Sequence, residues 1–407
     1  MRFDVAISGA SFAGLALARG LRQSLGETVR IAVIDRTVAP EVVRDDGRAF
    51  AIWAGAKAVL ESLGVWAAIA DVAEPMTSIE ISDSALGDGV RATRLTYDAK
   101  TANGAPAAYM VPSAMLHHAL YQSVAHDPAI TWFTPAEATA VSLGEFAAAI
   151  TLSDGREIEA ALCVAAEGRH SKLRDDAGIK TIGWGYAQRG VVATVQFELA
   201  HNGVAIQHFL PGGPFAVLPL KDNRACITWS SSDAEAERVL ALDDTSFLEE
   251  LDHRIGGRFG AITLVGKPQS WPLDVKIARE LTAKRFALIG DAAHGVHPVA
   301  GQGVNLAFRD VAALVEVLTD AARIGFDFGN GPALERYARW RRFDSTMSAA
   351  AYDALNRMFS VDNSVLRAAR GAGLGIVDQI PQLKQLIMTE AAGLSGDLPK
   401  MVRGEMV

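Results

Sequence analysis

The chain has 407 residues, 50% of them hydrophobic and 21% charged, an ordinary globular composition with length for two or three structural units. A formal net charge of −8 leaves no basic footprint for a nucleic-acid partner. Two cysteines are too few for a disulfide framework, and no unbroken apolar run is long enough to span a bilayer.

Cys163 and Cys226 both fall in apolar, strand-like runs and read as buried thiols of a reducing compartment. Asp4 stands where a signal peptide would build its apolar core, so a cytoplasmic protein is expected. Phe3 to Ser8 is a short apolar run suited to a parallel sheet. Gly9-Ala-Ser11-Phe-Ala-Gly14 follows, then a helical pattern through Leu15, Leu17, Ala18 and Leu21. A second apolar strand, Val29 to Ile34, ends in Asp35. This is the strand–turn–helix–strand context of a dinucleotide fingerprint. Its glycines admit a pyrophosphate, its helix N-terminus favours negative charge, and an acid about 20 residues on holds the ribose. Ser11 replaces the middle glycine, and a tight structural turn is the competing reading. Arg36 is grouped with Asp35.

Arg44 to Arg48 reads as a polar loop, in which Arg48 either reaches back to cofactor phosphates or ribitol or is simply solvated. A helix follows from about Trp53 to Leu63. Ile79–Ser82 and Thr93–Tyr97 read as strands joined by a turn at Gly87, Asp88 and Gly89. They interrupt the βαβ order, so the chain leaves its first domain here and returns with the helix after Pro112. Between Ile130 and Val164 come three or four strands, with a hairpin turn at Ser153–Arg156. Glu167-Gly168 then stand after a buried strand, ahead of Ser171 and Arg174 on a helix start. They are placed to touch cofactor and reductant; alternatively, Glu167 is a helix-start acid and Arg174 a surface charge.

From about Gly185 to Leu273 the pattern is long strands, broken by an acidic helical insert at Asp233–Ile255, which predicts a mostly antiparallel second domain. Phe209, Leu210, Phe215, Val217 and Leu218 are candidates for an apolar substrate wall, with sheet packing the alternative for each. The apolar strand Phe286–Ile289 meets Gly290-Asp291, and Gly301-Gln302-Gly303 opens a helix. An acid at a strand's carboxyl end, with glycines at a helix start, is where an open α/β sheet takes an anionic ligand. Alone, the two loop glycines read equally as turn residues. Asn305 either anchors this loop or packs. Asp291, His294 and His297 have the spacing D-x-x-H-x-x-H, but no metal is expected, because the loop glycines would go unexplained. Beyond Ala321 the pattern is helical. Arg336, Arg339, Arg341 and Arg342 beside Trp340 form either a solvated helix face or a contact for an acidic membrane or a partner protein.

These elements occur in one order, together with His297-Pro-Val-Ala-Gly-Gln-Gly-Val-Asn305-Leu-Ala-Phe-Arg-Asp310, His208–Leu220, Thr228-Trp229 and Glu390–Gly404. Over nearly its whole length the chain resembles the single-component FAD-dependent aromatic hydroxylases with the p-hydroxybenzoate hydroxylase fold. Among these it is most similar to the ubiquinone-biosynthesis hydroxylase family. Ala307 and Phe308 stand where that family usually has glycine and an aliphatic residue, and Glu167 replaces its usual aspartate. Tyr109–His118 lacks the Asn-Arg commonly found before that helix.

Pattern and resemblance together imply an α/β fold with a Rossmann-like FAD-binding domain and parallel central sheet (1–75, 98–182 and 274–330). An α+β substrate domain with a mostly antiparallel sheet (76–97 and 183–273) and a helical C-terminal region (331–407) complete it. The resemblance implies FAD held by Gly9, Ser11, Gly14, Asp35, Arg36, Arg48, Glu167 and Gly168 from the first half. Gly290, Asp291, Pro298, Gly301, Gln302, Gly303 and Asn305 serve it from the second, with Pro298 stiffening the loop and the Gly301–Gly303 backbone facing the flavin pyrimidine edge. It further implies NAD(P)H as a transient reductant, and O2 carried through a flavin hydroperoxide to the ring of a polyprenylated phenol or quinone precursor. A cytoplasmic location with peripheral contact to the membrane or to other biosynthetic enzymes would suit such a substrate. A small soluble aromatic substrate, or an FAD-binding accessory protein without hydroxylase activity, are the alternatives. No side chain is named as catalytic acid or base, since activating oxygen is the flavin's chemistry.

Overall fold

The structure is a computed structural model that describes residues 1–38, 47–88, 91–296, 301–360 and 364–407; Arg44–Asp46, Gly89, His297 and Pro298 lie outside the described residues. β1 (Arg2–Ser8), α1 (Phe12–Leu25) and β2 (Ile31–Ile34) form the expected opening unit, with every residue of β2 buried. β3 (Ala49–Trp53) leads into α2 (Ala54–Ser62), and β4 (Glu74–Pro75) into the pair β5 (Ser78–Asp83) and β6 (Leu95–Asp98). β7 (Ala108–Pro112) and α3 (Ser113–Gln122) bring the chain back to β8 (Ile130–Phe133), β9 (Ala138–Leu143), β10 (Ala148–Leu152) and β11 (Glu157–Ala165). After the short α4 (Lys172–Asp176) come β12 (Thr181–Phe197), β13 (Val204–Leu210), β14 (Gly213–Leu220) and β15 (Arg224–Ser232). The acidic insert is two helices, α5 (Asp233–Leu240) and α6 (Asp244–Ile255), capped by Ser232 and Asp243. β16 (Ile262–Ala278), β17 (Thr282–Ala283) and β18 (Phe286–Leu288) precede α7 (Asp291–His294) and α8 (Gly303–Arg323). The chain closes with α9 (Gly331–Ser360), α10 (Ser364–Gln379) and α11 (Pro381–Ala391).

Three sheets result. In the first, β8, β2, β1, β11 and β18 run parallel in that order, with β17 and the β9–β10 hairpin added antiparallel. Its near-continuous apolar strands are those of a sheet covered on both faces, and they form the main core with α1 and α8. The second has the order β16-β12-β15-β14-β13-β5-β6 and is antiparallel except where β13 meets β5. β3, β7 and β4 make the third. The fold is the expected α/β arrangement with a parallel and a mostly antiparallel sheet.

Two of the predicted strands are much longer than their apolar patterning. β12 and β16 each span 17 residues and pair from Thr181–Ala278 to Phe197–Ile262. Their exposed stretches, Thr181–Arg189 of β12 and Ile262–Pro272 of β16, are broken by glycine, proline and polar residues, so ladder hydrogen bonds extend the strands beyond what their apolar residues signal.

Candidate active site

The sheets share a cavity of about 2400 Å³. One corner is the turn between β1 and α1. Gly9 has a φ of 109°, and a Cβ there would sit 2.4 Å from the Ala166 carbonyl oxygen. A Cβ at Gly14 would lie 1.9 Å from Gly9 O; this residue lets α1 press on the turn and does not itself line the cavity. Ser11 lines it as the N-cap of α1, its side chain making no capping bond and no acid following in the first turn. Asp35, at the end of β2, accepts from Ala10 N–H (2.8 Å) and lines the same corner with Arg36. Arg48 lines the cavity with its guanidinium 5.4 Å from the Trp271 ring centroid on β16.

The second contribution follows β11. The Glu167 carboxylate accepts from Ser8 Oγ (2.8 Å) and Ser171 Oγ (2.5 Å), yet burial outweighs these bonds and raises its pKa. Gly168 lines the cavity beside it. Arg174 is not a surface charge: it is fully buried and donates to the carbonyls of Arg169 and Ala292. Arg169, which the sequence did not single out, donates to Asp291 (3.0 Å), to Asp274 Oδ1 (2.6 Å) and to the Val296 carbonyl (2.8 Å). It thereby ties together the ends of β11, β16 and α7.

Gly290, Asp291, Gly301, Gln302 and Gly303 supply the third contribution, and all line the cavity. Gln302 is the N-cap of α8, again with no side-chain cap and no acid in the first turn. Asn305 is buried away from the cavity. It accepts from Trp53 N–H (3.0 Å) and donates to the carbonyls of Ala51 (2.8 Å) and Gly301 (3.0 Å), so it anchors the loop. Pro298 lies outside the described residues. Behind the loop, Asp310 is fully buried and accepts from Gly290 N–H (2.9 Å), His294 Nε2 (2.6 Å) and Arg341 Nε (2.7 Å). His294 and Asp291 of the D-x-x-H-x-x-H string are thus committed to Asp310 and Arg169 respectively. Arg341 is also no part of an exposed basic face, and its neighbour Arg336 pairs with Asp320 at 2.7 Å.

Two helices of 14 and 21 residues therefore begin at the cavity with N-terminal N–H groups that no side-chain cap or first-turn acid offsets. A glycine-walled turn and a ribose-type carboxylate flank the first. That donor set fits a long ligand with a pyrophosphate and an electron-accepting ring, as FAD has.

The far end of the cavity is the inner face of the second sheet. Phe209 and Leu218 line it, whereas Leu210, Phe215 and Val217 do not. Those three pack in the cluster beneath α5 and α6, with Phe247 and Leu251. Successive side chains of a strand point to opposite faces, so Leu218 cannot share a wall with Val217. Phe209 stacks on Phe359 of α9 with ring centroids 3.8 Å apart. Arg370 of α10 lies 5.3 Å from the Phe359 centroid and pairs, buried, with Asp83 at 2.7 Å. These contacts fix the C-terminal helices as a further wall, which no local motif announced.

The family model described as FAD binding domain matches residues 2–325. The chain is 38% identical to ubiquinone hydroxylase UbiL of Rhodospirillum rubrum, over 98% of this chain and 92% of that one. It is 32% identical to the 3-demethoxyubiquinol 3-hydroxylase of Escherichia coli, over 96% and 98%. Among solved structures, p-nitrophenol 4-monooxygenase PnpA from Pseudomonas putida superposes with a TM-score of 0.78 over 96% of this chain and 98% of that one. At 17% identity it shows a shared fold alone. The family match and these identities, which run nearly end to end, place the chain in the FAD binding domain family and, within it, among the FAD-dependent hydroxylases of ubiquinone biosynthesis.

Proposed function

We propose that the protein hydroxylates the aromatic ring of a polyprenylated phenol or quinone precursor, with NAD(P)H and O2 as co-substrates. The observation that carries this is the size and lining of the cavity. At about 2400 Å³ it is more than twice the roughly 1,000 Å³ at the upper end of single-ligand sites, and it runs from the dinucleotide corner to apolar C-terminal helices. It has room for FAD and for a ring with a long apolar tail.

FAD, when bound, supplies the redox chemistry: it takes electrons from NAD(P)H and activates O2 toward an electron-rich ring. The chain's residues hold, orient and shield. The Gly9–Gly14 turn and the start of α1 would take the pyrophosphate, and Asp35 the ribose. Asp291, held by Arg169, would face the ribitol side. The first N–H groups of α8 would favour negative charge on the reduced ring, and Asn305 keeps them in place. Phe209, Leu218 and Phe359 would exclude water from the ring pocket. This reading divides the chain into the FAD-binding, substrate and C-terminal regions given above, and the membership of the two large sheets supports it. A polyprenyl tail partitions into the bilayer, so peripheral contact with the membrane belongs to the same proposal.

The test is turnover of ring substrates of graded tail length under isotopically labelled O2. Label is expected in the product, with kcat/KM rising with tail length. Equal turnover of a tail-less ring would favour a soluble aromatic substrate, and NAD(P)H oxidation without label in any ring would refute hydroxylation.

A further inference from the structure

We propose that α10 and α11 form the surface by which the protein docks on a lipid bilayer, and that the active-site cavity opens into that contact. This rests on the reading of the substrate as a ring with a polyprenyl tail.

Both helices are apolar on two faces. α10 packs Leu374 and Val377 against the cluster that holds Trp53, Met76 and Tyr97, and α11 buries Met388 there. Off that stripe α10 presents Ile376, 58% exposed, while Leu366, 48% exposed, continues the line of Arg370, Leu374 and Val377 along the cavity; α11 presents Leu386 and Ile387, 65% and 39% exposed. Ile380, in the connection between them, is 40% exposed. A solvated surface helix carries polar residues opposite its buried stripe, and large aliphatic side chains exposed there, set among Asp378, Gln379, Gln382 and Gln385, mark a contact.

The cavity identifies the occupant. Leu366, Leu386 and Ile387 line it and keep large accessible surfaces, and Ile376 and Ile380, between them in the chain, are exposed outside it, so the apolar wall of the cavity runs on into the exposed aliphatic residues. Whatever covers the patch must let a ligand through. A second copy of the chain, or a protein seated firmly there, would stopper the opening. A bilayer would not, and it already holds the apolar tail. The exposed side chains of the patch are leucine and isoleucine, which suit acyl chains. Aliphatic side chains at the level of acyl chains are the pattern of helices that lie in a membrane interface. The patch stays in place because the buried Arg370–Asp83 pair and the Phe209–Phe359 stack fasten α9 and α10 to the substrate sheet. The arginine-rich stretch of α9 is not the docking face, since Arg341 is spent on Asp310 and Arg336 on Asp320.

The FAD-loaded protein would be floated with vesicles of phosphatidylethanolamine and phosphatidylglycerol. Ile376→Gln/Ile380→Gln, at positions that do not line the cavity, should lower the floated fraction at least about tenfold. Its turnover of a tail-less ring analogue should equal the parent's. Arg339→Glu/Arg342→Glu should float like the parent. As a positive signal independent of lost binding, Leu386→Trp should gain fluorescence quenching by brominated lipid beyond the parent's. A parent protein that stays at the bottom of the gradient overturns the docking surface, while labelled product from a tailed ring would leave the hydroxylase reading standing. Flotation lost in the isoleucine variant without any ring oxidised by the parent would keep the surface and sink the substrate. A concentration-dependent dimer abolished by the isoleucine variant, with flotation unchanged, would assign the patch to a second copy and overturn the proposal.

Discussion

Asp310→Asn, in α8 behind the Gly290–Asp291 turn, is the most searching single substitution. The Asp310 carboxylate is fully buried, and it holds His294, Arg341 and the Gly290 N–H at once. An amide of the same shape keeps the volume and removes the charge. Two cationic partners, both nearly inaccessible, then lose this buried carboxylate. Breaking a buried pair by removing one partner costs about 3–5 kcal/mol. His294 can shed its proton and Arg341 cannot, so the loss should fall near the lower end, about 3 kcal/mol. That is a large share of the roughly 5–15 kcal/mol that holds a typical protein folded. Urea unfolding of the FAD-loaded protein at fixed flavin, followed by far-ultraviolet circular dichroism, measures it. Arg341→Met removes the guanidinium that Asp310 holds, so the double variant should recover at least about 1 kcal/mol relative to the sum of the singles. A cost below about 1 kcal/mol for Asp310→Asn, or strict additivity in the double variant, would refute the claim that this cluster clamps the loop.

The same cluster sets a pH dependence. Burial would depress His294, but Asp310 overrides it and holds the pKa above 6.5, so the His294 proton stabilises the fold below that pH and the benefit is lost as pH rises through the raised value. Burial opposes Asp310 as well, yet His294 and Arg341 keep it below 3.8, so its contribution persists until pH falls through that lowered value. Stability should therefore decline on the alkaline side of 6.5, and His294→Gln should flatten the slope in a melting-temperature series across pH. Gly14→Ala puts a methyl 1.9 Å from a backbone oxygen that cannot yield; FAD affinity, measured by flavin fluorescence, should fall at least about tenfold, and an unchanged Kd would refute the close-approach argument. Leu218→Trp should raise KM for a long-tailed ring more than for a tail-less one. Val217→Ala, one residue away in the opposite core, should cost about 1–3 kcal/mol of stability and leave that preference alone. If the two variants behaved alike, the assignment of sheet faces would be wrong.

The corner of the cavity at the β1–α1 turn was legible because its signal is local. A buried strand, a glycine turn and a helix start within a few residues name their own geometry, and Gly9, Ser11, Asp35, Glu167, Gly168, Gly290 and Asp291 all meet at one cavity. Parity along β14 was legible too: Phe215 and Val217 stand an even step apart and Leu218 an odd one, so alternation already forbids one wall for all three. What could not be read was the environment of charges. Arg341 looks like its exposed neighbours in LERYARWRRF, and only a carboxylate on another helix draws it inside. Arg169 is one more arginine after a glycine until Asp274 and Asp291 are brought beside it. The full length of β12 and β16 could not be read because their exposed stretches are broken by glycine, proline and polar residues, and the wall built by α9 to α11 depends on contacts across most of the chain.

The paired strands β12 and β16 do not stop at the edge of their sheet. At its root β16 continues through Lys276 and Ile277, which bridge to Gly295 and His294 just behind the cofactor loop. The ladder thus joins the second sheet to the segment that bears His294, so a shift at one end is expected to carry to the other. A chimera that borrowed only one strand of the pair from a relative would break that join. Exchange of substrate range between such enzymes therefore calls for transplanting 181–197 and 262–278 whole, roots included.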